Sequence, residues 1–172
     1  DIGQGSNTVI TQIAADALGL PVAQFHLIGP DTFLTPDGGK TSASRQTYVT
    51  GRAAHAAGSS LRSEILRRLN MGDAAKLALT GQTLTARQGS QTATLPLNTI
   101  PANAHGYALM AQETYDPPTT NLDENGQGTP YAVYGFGAQL VELDVDPHLG
   151  TVKLLKITAA HDVGRTINPM LA

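Results

Sequence analysis

The chain has 172 residues, with 11 Lys and Arg against 14 Asp and Glu for a formal net charge of -3, and a mean hydropathy of -0.12. A chain of this size buries on the order of 70% of its unfolded surface, and a composition that is 41% hydrophobic and 15% charged excludes a disordered or fibrous chain, while the lack of a long apolar run excludes a membrane span. The acidic balance leaves no footprint for nucleic acid, and zero cysteines exclude disulfides, thiolate zinc, iron–sulfur ligation within the chain and a cysteine nucleophile.

The opening DIGQGSNTVITQ has neither a starting Met nor the basic and apolar regions of a signal peptide, so the chain is read as an excised piece. Ser6 or Asn7 caps a helix expected over about 7–18, in which Val9, Ile13, Ala17 and Leu18 recur at helical spacing and Gly19-Leu20-Pro21 is the stop. Phe25–Ile28, closed by Gly29-Pro30, reads as a short buried strand, and 32–40 as a Pro/Gly loop. A second helix begins near Ser44, with Ala54, Ala57, Leu61, Ile65 and Leu69 as its core stripe. Thr83–Ala86 and Gln91–Leu95 flank a polar turn and read as a hairpin. Asp116–Pro130 reads as an exposed loop. Tyr131–Val145 and Thr151–Val163, joined by Asp146-Pro147-His148-Leu149-Gly150, read as two long antiparallel strands. The expected fold is α+β over a single domain, 1–172, with two helices packed on a sheet that includes the C-terminal hairpin.

Two segments carry chemistry. Gly3-Gln4-Gly5 precedes the first helix, where backbone approach is close and the first N–H groups have no helical partner. Thr41-Ser42-Ala43-Ser44-Arg45-Gln46-Thr47 gathers hydroxyls, an amide and a guanidinium at the start of the second. Both accept an anion, and spacing alone favours reading both as ordinary N-caps. GQG is not a dinucleotide fingerprint, no GxSxG elbow surrounds Ser44, and the five histidines lack metal-ligand spacing. His161-Asp162 alternate on a strand and make no dyad. Asp123–Gly126 reads as a solvated turn, and Arg62, Glu64, Arg67 and Arg68 as a solvated helix face.

Taken in order, DIGQGSNTVITQIAADALGLP, the TP-x-x-GG-x-TSASRQT-x-x-x-G segment and YGFGAQLVELDVDPHLGTVKLLKITAAHDVGRTINP resemble the molybdopterin-binding region of the xanthine dehydrogenase and aldehyde oxidase family of molybdenum hydroxylases. The resemblance spans most of the chain and makes it a fragment of a larger molybdopterin-binding subunit, with both helix N-termini facing a cofactor site. It implies that Gly3, Gln4 and Gly5, together with Thr41, Ala43, Ser44, Gln46 and Thr47, hold a molybdopterin, as such or as a dinucleotide. Gln4 stands for the family glutamine near the metal. Arg45 is left between the nucleotide tail and the surface.

No protein ligand to molybdenum is implied, in keeping with the missing Cys and His spacing. For the whole enzyme the resemblance implies hydroxylation of purines, related heterocycles or aldehydes with water-derived oxygen. Electrons leave through iron–sulfur clusters and FAD on other domains or subunits of a cytoplasmic assembly. The family's catalytic glutamate lies downstream of this chain, so no catalytic residue is assigned, and the fragment alone is expected to be inactive. The readings from other classes are a noncatalytic subunit-docking module on the same fold and a small phosphoanion-binding protein.

Overall fold

The computed structural model describes residues 1–42 and 44–170. The chain divides into two compact units, Asp1–Pro118 and Thr119–Ala172.

In the first unit, α1 (Ser6–Leu18) ends where the sequence places its stop. Gly19 is left-handed (φ 82°), its N–H donates to Asp16 O at 3.1 Å, and Leu20 N–H donates to Ala15 O at 3.1 Å, a Schellman closure that satisfies the last carbonyls. A single π-helical turn, Gln46–Thr50, leads into α2 (Gly51–Arg68). That helix closes in the same way on Asn70 (φ 51°), with Met71 N–H donating to Leu66 O at 2.9 Å.

The two helices run side by side in the same direction. Cβ atoms built at successive glycines of α2 meet successive residues of α1: Gly51 meets Ile13 Cδ1 at 2.9 Å, and Gly58 meets Ala14 O and Ala17 Cβ, both at 2.8 Å. One turn further on, Arg62 Nη1 donates to Leu18 O at 3.1 Å. The contact stripe of α2 is therefore Gly51, Gly58, Arg62 and Ile65. It lies beside the expected apolar stripe, whose Ala54, Ala57, Leu61 and Leu69 are half-buried.

A three-stranded antiparallel sheet follows, β1 (Lys76–Thr80), β2 (Thr83–Gln88) and β3 (Gln91–Pro96), in the order β1-β2-β3. Register sets Leu77 opposite Ala86, Leu79 opposite Leu84, Leu84 opposite Leu95 and Ala86 opposite Ala93, which puts all six on one face because side chains alternate along a strand. That face closes on Leu18, Ile65, Leu66, Met71 and Ala75. Burying a side chain such as Ile65, 2% exposed, stabilises by about 1.5–3 kcal/mol.

Phe25–Ile28 forms no strand. A 3-10 turn over Val22–Gln24 precedes it, only Phe25 packs against the core, and Leu27 and Ile28 are exposed. The residue before it, Gln24, reaches strand β1 with its side chain, Nε2 donating to Leu79 O at 2.9 Å. Arg62 also departs from the solvated face expected of it. Besides Leu18 O, its Nη2 donates to Asp73 O at 3.0 Å and Ala75 O at 2.5 Å, joining the ends of both helices to the start of the sheet.

The second unit holds the C-terminal hairpin, β4 (Phe136–Asp146) with β5 (Thr151–Asp162), as a two-stranded sheet of its own. The first strand starts at Phe136, after the expected Tyr131. Asp146 shapes the turn: its Oδ1 accepts from His148 N–H at 2.9 Å and Leu149 N–H at 3.0 Å, and its carbonyl accepts from Gly150 N–H at 2.9 Å. The register opposes Glu142 to Lys156 and Asp144 to Lys153. The alternate face carries Val141–Ile157, Leu143–Leu154 and Val145–Val152.

Candidate functional site

Because α1 and α2 are parallel, the Gly3-Gln4-Gly5 segment and the segment from Thr41 to Thr47 lie at the same end of the helix pair, opposite the hydrophobic core. Gly3 (φ 99°) and Gly5 (φ 81°) are both left-handed, a backbone that favours glycine. A Cβ built at either meets nothing within 4 Å. Their requirement is therefore conformational, and the space in front of them is open.

Asp1, which the sequence reading did not single out, shapes this start. Its carboxylate accepts from Gly3 N–H at 2.6 Å and from Asn7 N–H at 3.0 Å, so one of the four orphan donors of α1 already has an anionic partner. Gln4 is exposed and folds back so that its Oε1 accepts from Ile2 N–H at 2.8 Å. That leaves its Nε2, a donor, without a partner among the described residues.

At the second start, Gln46 Nε2 donates to Thr41 Oγ1 at 3.0 Å, joining two of the expected residues directly. Ser44 sits at φ 55°, a left-handed conformation uncommon outside glycine. Ser44 and Thr47 are exposed. Ala43 lies outside the described residues. Arg45 does not project freely: its Nη1 donates to Gly38 O and Lys40 O at 2.8 Å each, tying the Pro/Gly loop to the helix start. No hydrogen bond among the described residues joins the two donor groups.

The setting favours an anion. Neither helix has an acidic residue in its first turn, and the positive ends of both dipoles fall at one end of the pair, that of α1 carrying the Asp1 carboxylate on Asn7 N–H. The donors are neutral hydroxyls and amides with backbone N–H groups, which suit a phosphate or a pterin edge and not a bare metal ion. Among the described residues no group of three or more His, Asp or Glu is placed to hold a metal.

One cluster was not legible as a site. Tyr48, in the π turn, accepts a hydrogen bond from Tyr115 OH at 3.0 Å, their rings are edge to face at 5.7 Å, and the Arg52 guanidinium lies 4.9 Å from the Tyr48 ring and 5.3 Å from that of Tyr115. The Tyr48 and Arg52 pair is an i, i+4 spacing that local reading can find; Tyr115 arrives from a distant irregular segment. Its hydrogen bond to Tyr48, then desolvation, raises the Tyr115 pKa above the ordinary phenol value.

Elsewhere, Glu64 pairs with Arg67 and Arg68 at 2.6 Å each, and those hydrogen bonds lower its pKa. An open hollow of about 400 Å³ lined by Ser59, Ser60, Ser63, Glu64 and Arg67 lies on that face of α2, away from the donor segments. Asp123 Oδ1 accepts from Asn125 and Gln127 N–H, the turn expected there. No helix among the described residues is long and apolar enough to cross a membrane.

Comparison with known proteins identifies the family. The family model described as a molybdopterin cofactor-binding domain matches residues 1–172. The chain is 28% identical to the 6-hydroxypseudooxynicotine dehydrogenase complex subunit gamma of Paenarthrobacter nicotinovorans, over 98% of this chain and 21% of that protein. It is 29% identical to a putative xanthine dehydrogenase molybdenum-binding subunit of Escherichia coli over 100% of this chain and 22% of the relative. For aldehyde oxidase 4 of Cavia porcellus the identity is 30%, over 98% and 11%. The chain thus spans about a fifth or less of the length of these relatives.

Proposed function

The chain belongs to the molybdopterin cofactor-binding domain family, and from that premise we propose that its two donor-bearing helix starts hold the pterin and phosphate of a molybdopterin within a larger xanthine dehydrogenase-like subunit. The observation that supports this reading is the parallel run of α1 and α2, which sets Gly3-Gln4-Gly5 and Thr41, Ser44, Gln46 and Thr47 at one end of the pair.

The work of this chain is binding and orientation. Gly3 and Gly5 keep the backbone open to close approach, and Gln4 offers its Nε2 as a donor. The hydroxyls of Thr41, Ser44 and Thr47 and the Gln46 amide surround an anionic group; Ala43, the remaining residue expected here, lies outside the described residues. A single charge at an exposed helix start gains only about 0.3–1 kcal/mol, so affinity comes from many donors converging. Asp1 holds the Gly3 and Asn7 N–H groups, so a ligand at the first start meets Gln4 and the N–H groups that Asp1 leaves.

When bound, the group supplies two-electron oxidation of a carbon centre, and the protein positions it. The complete subunit hydroxylates a heterocycle, purines before aldehydes, with water-derived oxygen. It passes electrons to iron–sulfur and flavin partners in a cytoplasmic assembly, and the base comes from outside this chain. Residues 1–172 act as one cofactor-binding region of that subunit.

Molybdenum by mass spectrometry and fluorescence of the released, oxidised pterin, measured on the full-length parent subunit, test this. Metal and pterin equimolar with wild type and falling together in Gln4→Ala are expected. Neither metal nor pterin in a folded, cofactor-supplied parent replaces this reading with the noncatalytic docking module.

A further inference from the structure

The donor cluster from Thr41 to Thr47 is not held by the hydrophobic core, which lies at the other end of the helix pair. In the π turn Gln46–Thr50 that follows, Val49 alone is buried. What reaches this turn is the irregular segment that follows the three-stranded sheet. Glu113 Oε1 accepts from Ser60 Oγ at 2.6 Å on the outer face of α2. Two residues later Tyr115 reaches Tyr48 with its hydroxyl at 3.0 Å and with its ring edge at 5.7 Å. Arg52 lies against both rings at 4.9 and 5.3 Å. The segment therefore runs back along α2 toward its N-terminal end and closes on the π turn.

Arg52 lies just beyond the π turn, and no carboxylate among the described residues forms an ion pair with it. Its charge is met instead by two electron-rich rings. Tyr48 is its neighbour on the same helix and Tyr115 comes from the distant segment, so the cation, the π turn and that segment hold one another. A π turn is a local excess of backbone that interrupts helical hydrogen bonding and recurs at functional sites. Fixing it from outside fixes the direction in which the preceding donors point.

We propose that the Tyr115–Tyr48–Arg52 cluster is a latch by which the segment around residues 113–115 sets the geometry of the π turn and, through it, of the donors Ser44, Gln46 and Thr47, with Tyr115 as a positioning residue. The inference rests on the cofactor-binding reading above. The latch touches none of the proposed cofactor ligands directly except through the turn it shares with Gln46 and Thr47. Its role is to make those donors converge without recruiting them from the ordering of the ligand itself.

Hydrogen exchange by mass spectrometry on the full-length parent subunit, in wild type, Tyr48→Phe, Tyr115→Phe, the double variant and Arg52→Lys, tests it alongside molybdenum and pterin content. The phenylalanine variants are expected to raise exchange severalfold in residues 44–50 while the sheet strands β1 to β3 keep their protection, and to lower cofactor content with it. The double variant should match either single variant, because all three remove the same hydrogen bond. Arg52→Lys, which keeps a cation at the rings, should stay nearer wild type in both readouts.

Unchanged exchange in 44–50 overturns the latch. A uniform rise across α2 and the sheet also overturns it, reducing the cluster to packing. A local rise with undiminished cofactor overturns its positioning role. A wild-type parent without molybdenum or pterin is a failure of the cofactor-binding reading instead, and the exchange data then decide the latch by themselves.

Discussion

Gly58 of α2 and Ala14 of α1 meet backbone to backbone: a Cβ added at Gly58 lies 2.8 Å from the Ala14 carbonyl oxygen, with Ala17 Cβ at the same distance. Alanine is the better helix former by about 1 kcal/mol, yet neither obstructing atom is the end of a flexible side chain. Overpacking of this kind costs about 1–3 kcal/mol and wins. Gly58→Ala should lower stability in urea unfolding, whereas Gly51→Ala, whose one tight contact is the movable Ile13 Cδ1 at 2.9 Å, should be close to neutral. A stabilised Gly58→Ala would mean that the helices are not in this contact.

Arg62 offers a second test of the same scaffold. It is half-buried, and its guanidinium donates to three carbonyls from three parts of the chain, Leu18, Asp73 and Ala75. Hydrogen bonds from a charged donor are worth about 1.5–3 kcal/mol, and truncation leaves three acceptors to find water. Arg62→Ala should destabilise by about 2–3 kcal/mol, with Arg62→Lys in between, since one ammonium cannot span the fork. Equal unfolding midpoints for wild type and Arg62→Ala would refute the bracket.

How far these features can be read in advance depends on how local their causes are. The end of α1 at Leu18 follows from Gly19-Leu20-Pro21, and the β2–β3 and β4–β5 hairpins follow from turns whose glycines, Gly89 at φ 58° and Gly150 at φ 66°, sit where the chain reverses. Strand β1 escapes because Lys76-Leu77-Ala78-Leu79-Thr80 has little β-branching, even though Gly81-Gln82 is a two-residue turn with a left-handed glycine. Phe25–Ile28 misleads for the opposite reason: it has strand composition, but it pairs with no strand and leaves Leu27 and Ile28 exposed. Of the candidate site, the residue types and the two helix starts are visible in the sequence. Their convergence is not, because it needs the parallel helix pairing, and neither the Asp1 cap nor the approach of Tyr115 is local.

Two groups give stability a pH dependence of opposite sense. Glu64 has a lowered pKa through its hydrogen bonds to Arg67 and Arg68, so its contribution is present above the ordinary carboxylate value and is lost as pH falls through the folded value. Tyr115 has a raised pKa, so its contribution is present below the ordinary phenol value and is lost as pH rises through the folded value. In unfolding curves taken against pH, Glu64→Gln should flatten the acid limb slightly, and less so at high salt. Tyr115→Phe should flatten the alkaline limb. An alkaline limb identical in Tyr115→Phe and wild type would remove the tyrosine pair from the account of stability.

Ser44 separates the two ways in which the donor cluster can act. Its φ of 55° places a side chain where the left-handed backbone costs about 1–2 kcal/mol. Ser44→Gly removes that strain together with the hydroxyl, while Ser44→Ala keeps the strain and removes only the hydroxyl. If the hydroxyl is the donor, both variants lose cofactor affinity by a comparable factor, about two- to tenfold for a hydrogen bond of 0.5–1.5 kcal/mol, although the glycine variant is the more stable fold. If the left-handed turn matters only because it aims the following N–H groups, both variants retain affinity, since each can hold the same φ. The hydroxyl is exposed and no hydrogen bond among the described residues engages it, so the first pattern is expected. Equal molybdenum and pterin content in wild type, Ser44→Gly and Ser44→Ala would move the contact from the side chain to the backbone.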